Sequence, residues 1–132
     1  MSEENIEILR EMLSRFEAGD RTALKAFFDE EVVWDTAAAT PGAGVYRGHD
    51  GIEQFFADWL DAWEDPTVEY LELIDAGDSA VSVFRWSGRG KTSGVPAQGD
   101  FFGVYTLRDG KVIAYRQFES RAEALEAAGL SE

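Results

Sequence analysis

Residues 48–63 read GHDGIEQFFADWLDAW. Ile52, Phe55, Phe56, Leu60 and Trp63 recur at helical spacing with Trp59 beside them, which predicts a helix with one wide apolar stripe. Asp50 and Glu53 match a capping box, with Asp in the usual Ser/Thr place, and Pro66 can end the helix. Upstream, residues 32–52 read VVWDTAAATPGAGVYRGHDGI. This run opens like a strand and crosses a loop of small residues in which Pro41 and Gly42 turn the chain. It closes on the helix entry, with Asp35 just after Trp34 and the chain's only histidine, His49, just before the helix.

Working outward, residues 3–18 predict a first helix, with Ser2 as cap. Ile6, Leu9, Met12, Leu13 and Phe16 form its apolar face, and Gly19 ends it. Asp20 can cap a second, short helix carrying Leu24, Phe27 and Phe28. Residues 31–35 and 45–47 predict strands. The second half is β-rich, with strands at residues 67–74, 80–86, 100–107 and 111–119. Gly77-Asp78 and Asp109-Gly110 supply tight turns, residues 88–99 a longer loop, and residues 120–129 a last helix carrying Ala122, Leu125 and Ala128. Helices first and antiparallel strands after them give an α+β class, with helices on one face of a curved sheet.

The 132 residues suit one domain that can bury a sizeable core. A net charge of −14, with 16 of the 26 acids in residues 1–66, disfavours a phosphate backbone as partner. A solubilising surface is its plain reading. Cysteine is absent, which removes disulfides and thiolate chemistry and is compatible with a reducing compartment; the expected location is cytoplasmic. The N-terminal stretch is acidic and amphipathic, unlike a signal or transit peptide, and no apolar run is long enough to span a membrane.

Several site motifs fail. GRGKT at residues 88–92 resembles the end of a phosphate loop, but Arg85 stands where its first glycine belongs. GAGVYR at residues 42–47 has Arg47 at the third glycine of a dinucleotide fingerprint. No nucleophile elbow occurs. Carboxylates scattered over the helices predict no metal site, and no cofactor is expected.

The order of these elements carries a resemblance. Ala18-Gly19-Asp20 joins two helices; a strand and a glycine-rich loop follow; GHDGIEQFF opens the third helix; and DGKVIAYRQF comes last. Over about residues 5–129 the chain resembles the nuclear-transport-factor-two-like superfamily, and within it the SnoaL-like polyketide cyclase group. The resemblance implies a cone-shaped curved antiparallel sheet wrapped around the N-terminal helices, an apolar pocket, and a homodimer through the outer sheet face. The superfamily spans isomerases, hydrolases, dehydratases, cyclases and non-catalytic binders, so the fold does not give the function.

Carried over by position, the resemblance puts Asp35 where ketosteroid isomerase has its general base. Met12 and Phe102 or Gly103 occupy that enzyme's oxyanion-donor positions, and neither can donate a side-chain proton. Against limonene-epoxide hydrolase, Gln117 stands in place of the catalytic acid, and only Arg85 could match the Arg/Asp pair. Asp35 is thus either a pocket base or a turn-capping carboxylate, and His49 either an acid/base or a helix-entry residue bonded to backbone. Arg85 either binds an anionic oxygen or pairs with an acid. Trp34, Phe56, Trp59, Tyr105, Tyr115 and Gln117 are the expected pocket walls, with Gln117 holding a ligand oxygen or a water. The expected function is a small-molecule pocket protein acting, without cofactor, as an isomerase, cyclase or hydrolase on a hydrophobic carbonyl compound. The alternative is a non-catalytic ligand-binding or protein-interaction module. The expected partners are an apolar small molecule and a second copy of the chain, with no nucleic acid and no membrane.

Overall fold

The computed structural model describes residues 2–19, 24–36 and 44–130. Helix α1 (Ser2–Glu17) begins on Ser2 itself, buries Leu9, Met12 and Leu13, and is stopped by Gly19 at φ +83°. That left-handed conformation favours glycine, which has no β-carbon to clash. A single 3-10 turn (Leu24–Phe27) replaces the expected second helix, because Phe28 already opens strand β1 (Phe28–Asp35) and is buried. The capping role expected of Asp20 and the small-residue turn at residues 37–43 fall outside the described residues.

Strand β2 (Val45–Arg47) leads directly into α2 (Gly48–Ala62). The helix starts three residues earlier than a cap at Asp50 would place it. Gly48, at φ +70°, makes the bend, Arg47 is the cap residue, and no side chain caps the helix. The capping box therefore does not form: Asp50 is already inside the first turn, and Glu53 pairs with Lys25 instead. The helix also ends before Pro66. Trp63 is extended and opens strand β3 (Trp63–Ala76), while Pro66 sits where the β3 register shifts between Glu64 and Thr67. An irregular position tolerates a residue with no N–H. A second shift between Tyr70 and Glu72 bends the same strand.

Strands β4 (Ser79–Gly90) and β5 (Pro96–Arg108) pair along nearly their whole length, so most of the loop expected at residues 88–99 is sheet. Gly99 makes room for a ring: a β-carbon there would lie 3.3 Å from the Phe101 ring. Asp109 and Gly110, both at positive φ, turn β5 into β6 (Lys111–Phe118).

The six-stranded sheet runs β2-β1-β6-β5-β4-β3. Every pairing is antiparallel except β1 with β6, which is parallel. The expected all-antiparallel sheet is corrected at that one place, where the rest of the chain forms the long connection a parallel pair needs. Helices α1 and α2 cover the inner face, and with Phe28, Val32, Trp34, Tyr105 and Tyr115 they make the main core. Helix α3 (Arg121–Ala127) lies on the other face, where Ala124 and Leu125 pack with Val81, Val104 and Phe118. Ser120 caps α3 by accepting from the Glu123 N–H at 3.3 Å. The helix ends with Leu130 N–H donating to Leu125 O at 2.8 Å and Gly129 N–H donating to Glu126 O at 3.0 Å, a Schellman motif. Of the residues expected to anchor α3, Ala122 is exposed, and Ala124 takes its place in the core.

Candidate functional site

Between the helices and the inner sheet face lies a cavity of about 370 Å³. The walls follow from strand alternation. Trp34 and Thr36 face inward at the end of β1, Tyr70 from β3, Phe84 and Trp86 from β4, Phe101 and Tyr105 from β5, and Tyr115 and Gln117 from β6. Helix α2 adds Phe55, Phe56, Asp58 and Trp59, and α1 adds Phe16.

At the buried end the Trp34 ring stacks on Tyr115, with centroids 4.0 Å apart and planes at 22°, and Tyr105 lies 4.7 Å from the same ring. Gly103 makes this possible, because a β-carbon there would lie 2.8 Å from the Tyr115 hydroxyl oxygen. That hydroxyl donates to Gln117 Oε1 at 2.8 Å. The bond orients the amide and leaves Nε2 as a donor. Burial raises the pKa of Tyr70, Tyr105 and Tyr115. For Tyr70 and Tyr115 the neighbouring phenols reinforce the rise; for Tyr105 the hydroxyls of Tyr70 and Ser82 oppose it. All three are therefore neutral phenols at physiological pH. The indole Nε1 atoms of Trp34 and Trp86 are also buried, with no acceptor among the described residues.

The open edge differs. Asp58 is exposed; its carboxylate accepts from Gln54 Nε2 at 2.7 Å and from the Tyr46 hydroxyl at 3.5 Å. Partial burial and then the Asp58 charge raise the Tyr46 pKa.

Of the residues expected at the site, Trp34, Phe56, Trp59, Tyr105, Tyr115 and Gln117 line the cavity. Asp35, His49 and Arg85 are not among its described lining residues. Asp35 alternates with the inward-facing Trp34 and Thr36, so its side chain leaves β1 on the other sheet face. His49 lies within the first turn of α2 rather than before it, and its Nε2 is 2.9 Å from Phe28 O. A carbonyl only accepts, so that nitrogen carries the proton. Arg85 points outward and binds both carboxylate oxygens of Asp100, at 2.8 and 3.1 Å. The acid-pairing alternative describes it.

Sequence reading missed Asp58, Tyr46, Tyr70, Phe84, Trp86 and Phe101. The signal for Asp58 was a carboxylate flanked by the aromatic stripe of α2. For the strand residues it was period-two alternation, which names two faces without saying which is inside. Among the described residues no group of three or more His, Cys, Asp or Glu could hold a metal ion, and no helix is long and apolar enough to cross a membrane.

No curated protein matches the chain. Solved structures do. An NTF2-like protein from Burkholderia thailandensis is 27% identical, with a TM-score of 0.81 over 91% of this chain and 95% of that one. Bal32a, from a soil-derived mobile gene cassette, is 23% identical, with a TM-score of 0.78 over 88% of each chain. TerC, co-crystallized with polyporic acid, is also 23% identical, with a TM-score of 0.75 over 96% of this chain and 98% of that one. These likenesses agree with the curved sheet and the helices packed on it. The SnoaL-like domain matches residues 9–115, a span that includes every strand wall of the cavity but Gln117, and the chain belongs to that family.

Proposed function

We propose that the chain binds a flat, largely apolar small molecule bearing a carbonyl or hydroxyl oxygen, and does so without chemistry. One observation carries this reading. The cavity walls are aromatic, and the polar groups at the buried end are neutral: the phenols of Tyr70, Tyr105 and Tyr115, and the amide of Gln117, whose Nε2 can donate to a ligand. Flat rings can stack against Trp34 and Phe56, and a ligand oxygen can accept from Gln117 Nε2. The described lining holds one group charged at neutral pH, Asp58, and it stands at the open edge. A general base poised beside the buried donors would favour catalysis, and the described lining supplies none there. The TerC co-crystal with polyporic acid supports a small molecule over a protein as the occupant of this fold.

The test is a panel of aromatic and terpenoid ketones read by intrinsic tryptophan fluorescence. Trp34, Trp59, Trp63 and Trp86 all line the cavity, so a bound ligand should quench them. Trp59→Phe should weaken the quench. Gln117→Leu should weaken binding by about 1–2 kcal/mol, the worth of a hydrogen bond in a dry site. If no ketone binds below millimolar concentration and Gln117→Leu alters only stability, the cavity is core and the reading fails. Turnover of a bound ketone would replace binding by catalysis.

A further inference from the structure

We infer that the ligand of this cavity carries a positively charged nitrogen, which Asp58 receives where the cavity opens to solvent. The inference rests on the binding reading above and narrows its ligand class. Its first support is charge. No Lys, Arg or His lines the cavity among the described residues, and Asp58 is its one carboxylate. Among the described residues no cation pairs with Asp58; its described partners are Gln54 and, at a long 3.5 Å, Tyr46. A carboxylate has about four acceptor sites, so the two neutral contacts leave capacity toward a ligand.

The second support is the surroundings. Tyr46 and Phe55 line the cavity beside Asp58, their rings edge to face with centroids 5.4 Å apart. Ring faces attract an ammonium group and do nothing for a carboxylate. Helix α2 carries Asp50, Glu53, Asp58 and Asp61 and neither Lys nor Arg, and Glu17 is close enough to act on Tyr70 from the α1 side. The whole chain adds a net charge of −14. These fields draw cations to the opening and repel anions.

The third support is desolvation. A neutral molecule filling the cavity would cover part of the Asp58 carboxylate and return nothing for the lost water. An amine held by the carboxylate and the rings replaces that hydration. The ligand class is therefore a flat carbonyl or hydroxyl compound that also carries an amine, its body in the cavity and its nitrogen at Asp58.

Calorimetry on the full chain with three matched naphthalenes tests this: 2-(aminomethyl)naphthalene, 2-acetylnaphthalene and 2-naphthoate. The amine should bind about tenfold tighter than the ketone at low salt, and naphthoate weakest. Added salt should reduce the amine's advantage. Asp58→Asn should erase that advantage by lowering amine affinity, with ketone affinity no weaker than in the wild type, and Asp58→Glu should restore part of it. An unchanged melting temperature in Asp58→Asn shows that the fold is intact. If the ketone binds and the amine binds no tighter, or if Asp58→Asn keeps the preference, the cationic ligand is overturned and the apolar pocket stands. If none of the three binds below millimolar concentration, both readings are overturned.

Discussion

Tyr115 lies over the bare backbone of Gly103, its diagonal neighbour on β5 two residues from its register partner Tyr105, so closely that a β-carbon there would be 2.8 Å from the phenol oxygen. The ring is otherwise fixed by Trp34 stacked on it and by its hydroxyl's bond to Gln117. Gly103→Ala should therefore push the ring off Trp34 and break the Tyr115–Gln117 bond. Overpacking of this kind costs about 1–3 kcal/mol. Chemical denaturation measures the loss, and ketone binding should fall with it. An alanine variant of wild-type stability would mean that the ring shifts freely.

The buried phenols make stability depend on alkaline pH. Tyr70, Tyr105 and Tyr115 have folded pKa values raised above 10.0, the ordinary value, chiefly by burial. Above pH 10 the unfolded chain releases these protons while the folded chain keeps them, so the folded state binds more protons and stability falls as pH rises. The contribution is complete below pH 10 and is lost as the pH climbs toward the folded values. Of the four tyrosines, Tyr46 should ionise first, since it is far less buried. Phenolate absorbance should show one early step, with the other three tyrosines appearing together on unfolding. Tyr70→Phe should flatten the pH dependence of the melting temperature.

Asp35→Asn and His49→Ala separate position from function. Asp35 leaves the sheet on the face opposite Trp34 and Thr36, so Asp35→Asn should leave ketone affinity within about twofold, well below a lost hydrogen bond. His49 anchors the start of α2 to Phe28 O at 2.9 Å. Its alanine variant should lose about 1 kcal/mol of stability with ligand affinity unchanged. A large loss of binding in either variant would return that residue to the site.

We propose a homodimer across the part of the outer sheet face that α3 leaves open. Val81, Val104 and Phe118 are already covered by α3, which removes part of the reason to pair. What remains is the strip near Leu71, 45% exposed, and the half-buried Phe102. A two-fold contact there should give twice the chain mass by light scattering at micromolar concentration, and Leu71→Glu should return the mass to one chain. A single-chain mass for the wild type would exclude the dimer.

The sequence by itself determined the periods. The stripe of Leu9, Met12, Leu13 and Phe16 made α1 a helix. Alternation made β3 to β6 strands, and Asp109-Gly110 made a hairpin. The order of these elements gave the α+β class; alternation put Tyr115 and Gln117 on one side of β6, and the resemblance to the family made that side the cavity wall. Element ends were less legible. Gly48 and Trp63 move both ends of α2, because backbone conformation there is set by the strands on either side rather than by Asp50 or Pro66.

Only the tertiary structure decided which face is inside. A period of two names two faces and leaves the choice to the burial of the whole sheet. Arg85 thus went outward to Asp100 while its neighbours Phe84 and Trp86 went inward. Asp35 likewise parted from Trp34. Tyr70, Tyr105 and Tyr115 come from three strands, and nothing local marks them as a group. They meet because β3 bends at its register shifts and because Gly103 admits the Tyr115 ring. The neutrality of those phenols is a property of the closed cavity, since it is the loss of water around them that disfavours their charge.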